Sequence, residues 1–131
     1  MLKNLPHGVK ISIARSITRA FEKYMNDIEW EETKFHPPAF MQEWRSYIEK
    51  NSNWFHSLDE QIKSDPSFHE ELANKINEMI EKVLSEAPTN EQLAKIETLA
   101  KELNLKDIHV SCKAEANYYI ERLQNMKREN K

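Results

Sequence analysis

The chain has 131 residues, enough for one ordinary hydrophobic core, and its 39% hydrophobic and 31% charged content is that of a folded rather than a disordered protein. A single glycine, Gly8, excludes the glycine-rich loops of Walker and Rossmann nucleotide sites, and a single cysteine, Cys112, excludes an internal disulfide and a CxxC zinc site. The net charge of −3 is unevenly distributed: residues 1–23 hold five Lys/Arg against one acid, 24–88 six against fourteen, and 89–131 eight against seven, a segregation that bears on partners rather than on fold.

The opening residues lack the apolar stretch of a secretory signal, and no run of about 18 apolar residues could cross a bilayer. A soluble chain in the reducing cytoplasm, without membrane association, is expected. Apolar residues recur at helical spacing almost throughout and sustained alternation is missing, so the fold is expected to be all-α. Ile13, Ile17, Phe21 or Ala20, Tyr24 and Ile28 form one stripe of a first helix over about residues 9–29, with Arg15, Arg19 and Lys23 opposite. The acidic "NDIEWEETKF" then meets His36, Pro37 and Pro38, which should end any helix, so the next one is expected from Ala39 with Phe40, Trp44 and Ile48 inside.

Asn51 to Asn53 mark a break, and Trp54 or Phe55, Leu58 and Ile62 continue as another helix. Asp65 is the expected N-cap of the longest interior helix, with Pro66 at its first position and a Ser67/Glu70 capping box as a second choice of start. Its seam is Phe68, Leu72, Ile76, Ile80 and Val83 or Leu84, and Pro88 closes it. Thr89 and Gln92 then form a capping box, Leu93, Ile96, Leu99, Ala100 and Leu103 line one face, and Asn104 should take the left-handed conformation with Leu105 folding back. After Ile108 and Val110, Ser111 caps a last helix carrying Tyr119, Ile120, Leu123 and Met126. The expectation is an all-α compact bundle of five to six helices, residues 1–87 forming the bundle and residues 88–131 a C-terminal hairpin packed on it.

Two basic clusters could meet phosphates: Lys10, Arg15, Arg19 and Lys23 on the first helix, and Arg122, Lys127 and Arg128 on the last. Each also reads as a solvated face, and the second complements its own helix dipole. Asp27, Glu29, Trp30, Glu31 and Glu32 offer an acidic surface for a basic protein partner, or an ordinary solvated connector. Among the aromatic residues, Trp30 and Phe35 stand in that polar connector as candidates for exposed stacking or, equally, as its anchors, whereas Trp44 and Phe40 stand at core spacing. No HExxH or Glu-x-x-His pair is present; His56 with Glu60 is one pair only, so no metal or cofactor is implied. Cys112 follows Ser111 at a helix N-terminus, where the dipole lowers a thiol's pKa, with His109 nearby; it reads as a reactive thiol or as a structural cysteine, and no oxyanion hole accompanies it.

Residues 88–123, "PTNEQLAKIETLAKELNL" and then "SCKAEANYYIERL", resemble a small C-terminal helical module of phage- and plasmid-type DNA-metabolism proteins, among them single-strand annealing and single-strand-binding proteins. That module has a Pro-Thr-x-x-Gln start, a Leu-Ala-x-x-Leu stretch, a Ser-x-x-Glu-Ala start and a final Ile-x-x-Leu. Thr89, Gln92, Leu99, Ala100, Leu103, Ser111, Glu115, Ala116, Ile120 and Leu123 look like the matching positions, with one extra residue between Ser111 and Glu115. The resemblance covers about a quarter of the chain and none of residues 1–87, and capping and packing account for nearly all of its positions. It implies a small non-enzymatic accessory protein of phage or mobile-element DNA metabolism, binding DNA or a DNA-processing protein. The alternative reading is a protein-only regulator or inhibitor whose acidic middle docks on a basic protein.

Overall fold

Helical spacing of apolar residues becomes helix along most of the described residues. The computed structural model describes residues 5–51, 53–58, 60–106 and 108–129, and among these it contains seven α-helices, one 3₁₀ turn and no strand. The protein is all-α. It divides into two units, Met1–Glu81 and Lys82–Lys131.

The first unit is built on α1 (His7–Asp27) and α2 (Pro37–Asn51). Ile13, Ile17, Ala20, Phe21, Tyr24 and Met25 bury one stripe of α1 against Phe40, Trp44 and Ile48 of α2. The helices run antiparallel: Ser16 meets Trp44, and Tyr24, farther along α1, meets His36 just before α2. Ser16 is the one buried polar residue of the described core, and its neighbours show why it is tolerated. Its Oγ donates to the Ile13 carbonyl at 2.7 Å and accepts from the indole Nε1 of Trp44 at 3.0 Å, so burial strands neither group.

The segment between these helices turns back on the core. At the end of α1, Glu29 N–H reaches Asn26 O at 3.0 Å and Trp30 N–H reaches Met25 O at 2.7 Å, the paired bonds of a Schellman ending, with Glu29 and Trp30 both left-handed at φ 58° and 57°. Of the two readings of Trp30 and Phe35, exposed stacking or anchoring of the connector, the structure shows the anchors. Trp30 is buried edge-on to Phe21, with its Nε1 bonded to Asn26 Oδ1 at 2.8 Å. Phe35, half-buried, packs on Phe21, Tyr24 and Phe40. A 3₁₀ turn, Glu32–Lys34, lies between them.

Pro37 and Pro38 are likewise corrected from a helix stop to a helix start. They open α2 two residues before Ala39, because first-turn residues need no amide hydrogen for the helix, and the first bond is Phe40 N–H to His36 O at 3.0 Å. The expected helix over Trp54 to Ile62 is instead two short pieces, α3 (Asn53–Ser57) and α4 (Glu60–Lys63), so the described residues form seven helices where five to six were expected. No proline or glycine announces that break. Lys63 still ties the pieces, its Nζ lying 4.7 Å from the Phe55 ring centroid. Asp65 caps α5 (Pro66–Ser85), accepting from Ser67 N–H at 2.8 Å, and Phe68, Leu72 and Ile76 bury its stripe.

The second unit takes the end of α5 with α6 (Asn90–Glu102) and α7 (Lys113–Glu129). Ile96, Leu99, Ala116 and Leu123 form its core, flanked by Leu103, Ile108, Val110, Tyr119, Ile120 and Met126. The Thr89–Gln92 capping box is present in both directions, at 2.9 and 3.1 Å. Asn104 is left-handed at φ 57°, and Leu105 N–H returns to Ala100 O at 2.8 Å. Leu93, expected on the buried face, is exposed, and Val83 rather than Leu84 is buried.

Ser111 does not cap α7 as expected. The helix starts one turn position later, and Glu115 Oε1 reaches back to accept from both the N–H and the hydroxyl of Ser111 at 2.7 and 2.9 Å. The free first-turn amide of Lys113 is taken by the Glu86 carbonyl at 2.8 Å. The residue left at the cap position is Cys112, which is fully buried and therefore withdrawn from reaction with solutes.

Candidate nucleic-acid interface

Antiparallel packing of α1 on α2 leaves a groove along one side of the first unit. It has two adjoining parts, of about 570 and about 360 Å³, which share Tyr47 and Asn51 as walls. Four basic residues line them: Arg15 and Arg19 in the smaller part, Lys23 and Lys50 in the larger. Among the described residues, Glu43 is the sole carboxylate on either wall. A helix rises 1.5 Å per residue, so cations four apart on α1 stand about 6 Å from one another along the axis.

Arg15 and Arg19 are exposed and make no ion pair or hydrogen bond among the described residues. Lys23 differs: its Nζ lies 3.1 Å from Asp27 Oδ2, and its pKa is raised by that hydrogen bond, by the Asp27 charge and by the charge of Glu43. Lys10 stands half-buried near the start of α1 and is not among the groove walls.

The second predicted basic cluster is divided by the helix. Lys127 and Arg128 line a groove of about 550 Å³ between α6 and α7, joined there by Lys95, and Lys127 is bound to Glu102 at 2.7 Å. Arg122, about 140° from Lys127 around α7 at 100° per residue, instead donates to the Tyr118 hydroxyl at 3.1 Å.

The acidic segment is not one surface. Asp27 pairs with Lys23 and Glu31 with Lys34 at 3.3 Å; Glu29 sits in the left-handed turn; Glu32 opens the 3₁₀ turn; and Trp30 is in the core. His56 turns a ring nitrogen to the Glu49 carbonyl at 2.7 Å, and the helix break separates it from Glu60. Among the described residues no group of three His, Cys, Asp or Glu could hold a metal ion, and no helix is long and apolar enough to cross a membrane.

The groove's far wall was absent from the sequence reading. Tyr47, Asn51 and Trp54 join Arg15 and Arg19, and Lys50 joins Lys23, only because α2 returns alongside α1 and α3 follows it. The available signal was the i, i+4 repeat of Tyr47 and Asn51 beside Lys50, on the flank of the Trp44 stripe: at 100° per residue Tyr47 lies about 60° and Asn51 about 20° around α2 from Trp44.

No protein-family model, curated protein or solved structure matches the chain.

Proposed function

We propose that the protein is a small, non-enzymatic accessory protein of the cytoplasm that binds nucleic-acid phosphates along the α1–α2 groove. The observation that carries this reading is the pair Arg15 and Arg19: two exposed guanidinium groups on one helix that, among the described residues, have no intrachain partner and stand beside a wall without a carboxylate. Guanidinium groups are the side chains best matched to phosphate oxygens, and clustered cations gain free energy by displacing the counterions condensed on a nucleic acid. The resemblance of residues 88–123 to a module of DNA-metabolism proteins agrees with such a role and suggests phage or mobile-element DNA as its setting.

Binding to a basic protein through the acidic segment is supported less well, because Asp27 and Glu31 are already engaged by lysines and Trp30 is not at the surface. Fluorescence anisotropy with labelled single- and double-stranded DNA at low salt tests the proposal. The double variant Arg15→Ala/Arg19→Ala should weaken binding by about tenfold or more, at roughly 1 kcal/mol per lost phosphate contact, with an unchanged helical circular dichroism spectrum. Equal affinity of variant and parent would dismiss the groove as the binding surface.

A further inference from the structure

Tyr47 borders both parts of the groove, and it differs from the other aromatic side chains of the protein. Every other Phe, Tyr and Trp among the described residues packs its ring on a second ring, except Trp44, whose indole bonds to Ser16. Tyr47 does neither: its one hydrogen bond among the described residues is made by its backbone carbonyl, which accepts from Asn51. Its side chain is half-buried, so the ring is anchored at the helix packing yet reached from the groove.

The groove has room at this point. Ala20, Ala39 and Ser46 line the larger part together with Tyr47, and these short side chains leave a space of about 570 Å³, within the size range of small-molecule sites. Cations stand in both parts that Tyr47 borders, Arg15 and Arg19 in the smaller and Lys23 and Lys50 in the larger. A groove of cations that holds one accessible aromatic ring suits a strand with unpaired bases, because the cations follow its phosphates while the ring receives the face of a base. A duplex presents base edges in its grooves and keeps the faces stacked. Charge alone works the other way, since the duplex carries the denser array of phosphates.

We infer that Tyr47 is a stacking platform for one unpaired base, and that the groove therefore takes single-stranded nucleic acid in preference to duplex. The inference rests on the nucleic-acid reading above for the class of ligand, and on the unmatched ring for the choice of strand. The two contributions are separable: the cations set the dependence on salt, and the ring, which is uncharged, sets the dependence on bases.

Fluorescence anisotropy on the full-length protein tests this with three labelled ligands at one low salt concentration: a single-stranded oligonucleotide, its duplex, and a strand of equal length made wholly of abasic sugar-phosphates. The parent protein should bind the base-bearing strand about tenfold more tightly than the abasic one, and more tightly than the duplex. Tyr47→Ala should bind the base-bearing and abasic strands equally, with an unchanged salt slope and circular dichroism spectrum, while Tyr47→Phe, which keeps the ring, should behave as the parent. Equal affinity of the parent for the two strands, tighter binding of the duplex, or a Tyr47→Ala variant that still discriminates between the strands overturns the platform and leaves the nucleic-acid reading standing. The abasic and duplex comparisons use the parent alone and so do not depend on the folding of a variant. Absence of binding to all three ligands overturns the nucleic-acid reading, and the platform with it.

Discussion

Ser16 shows how one small polar side chain can govern a packed interface. It is the sole acceptor for the Trp44 indole and lies between two helices that have little else polar in contact. Replacing Ser16 by Ala should destabilise the protein by about 1–3 kcal/mol, since the methyl group fits but the Trp44 N–H is left unmatched in the core; urea denaturation measures it. Backbone conformation supplies two opposite predictions. The chain's one glycine, Gly8, lies in α1 with nothing within 4 Å of an added Cβ, whereas the left-handed positions Glu29, Trp30 and Asn104 carry side chains. Gly8→Ala should therefore stabilise by up to about 1 kcal/mol, and Glu29→Gly by about 1 kcal/mol through relief of its positive φ; a rise in melting temperature for both is expected. Trp30 belongs to the same lesson. Its polar sequence neighbours suggested exposure, and the double left-handed turn that folds its ring onto Phe21 has no glycine to signal it.

Helix ends were the most legible elements, where the caps are chemical rather than positional. The Thr89–Gln92 box, the Asp65 cap and the left-handed Asn104 all depend on interactions within a few residues, which a linear sequence contains in full. Thr89→Ala should destabilise by about 1 kcal/mol, and here the effect extends beyond α6. Gln92 Nε2 also donates to Lys113 O at 3.3 Å and Asn117 Oδ1 at 2.7 Å, so the box helps join α6 to α7. Hydrogen exchange should accordingly accelerate at the start of both helices; acceleration in α6 alone would contradict the link. Ser111 was misread because its competitor is not local. Glu86, from the turn before α6, takes the first amide of α7, and the cap shifts by one residue. The prolines before α2 carried a genuine ambiguity, since the same residue type that stops one helix is suited to start the next.

At the scale of the whole molecule, charge is segregated along the sequence, but only folding turns part of that segregation into a site. The stripe of Arg15, Arg19 and Lys23 was visible as a helical repeat; that Tyr47, Lys50, Asn51 and Trp54 form the opposite wall depends on how α2 packs, which periodicity does not encode. The all-α architecture, by contrast, was legible, because the five longer helices each carry their own buried residues at helical spacing, whereas α4 has none. Of the acidic middle, conspicuous in sequence, Asp27, Glu31, Glu60 and Glu78 form short-range lysine pairs worth little individually at the surface. The most direct measurement is the salt dependence of single-stranded DNA binding by the intact protein. With four groove cations meeting phosphates, the logarithm of the association constant should fall against the logarithm of salt concentration with a slope of about −3, shrinking by about 1.4 in the Arg15→Ala/Arg19→Ala variant. Absence of binding at the lowest salt, or a slope unchanged by that variant, would contradict the account.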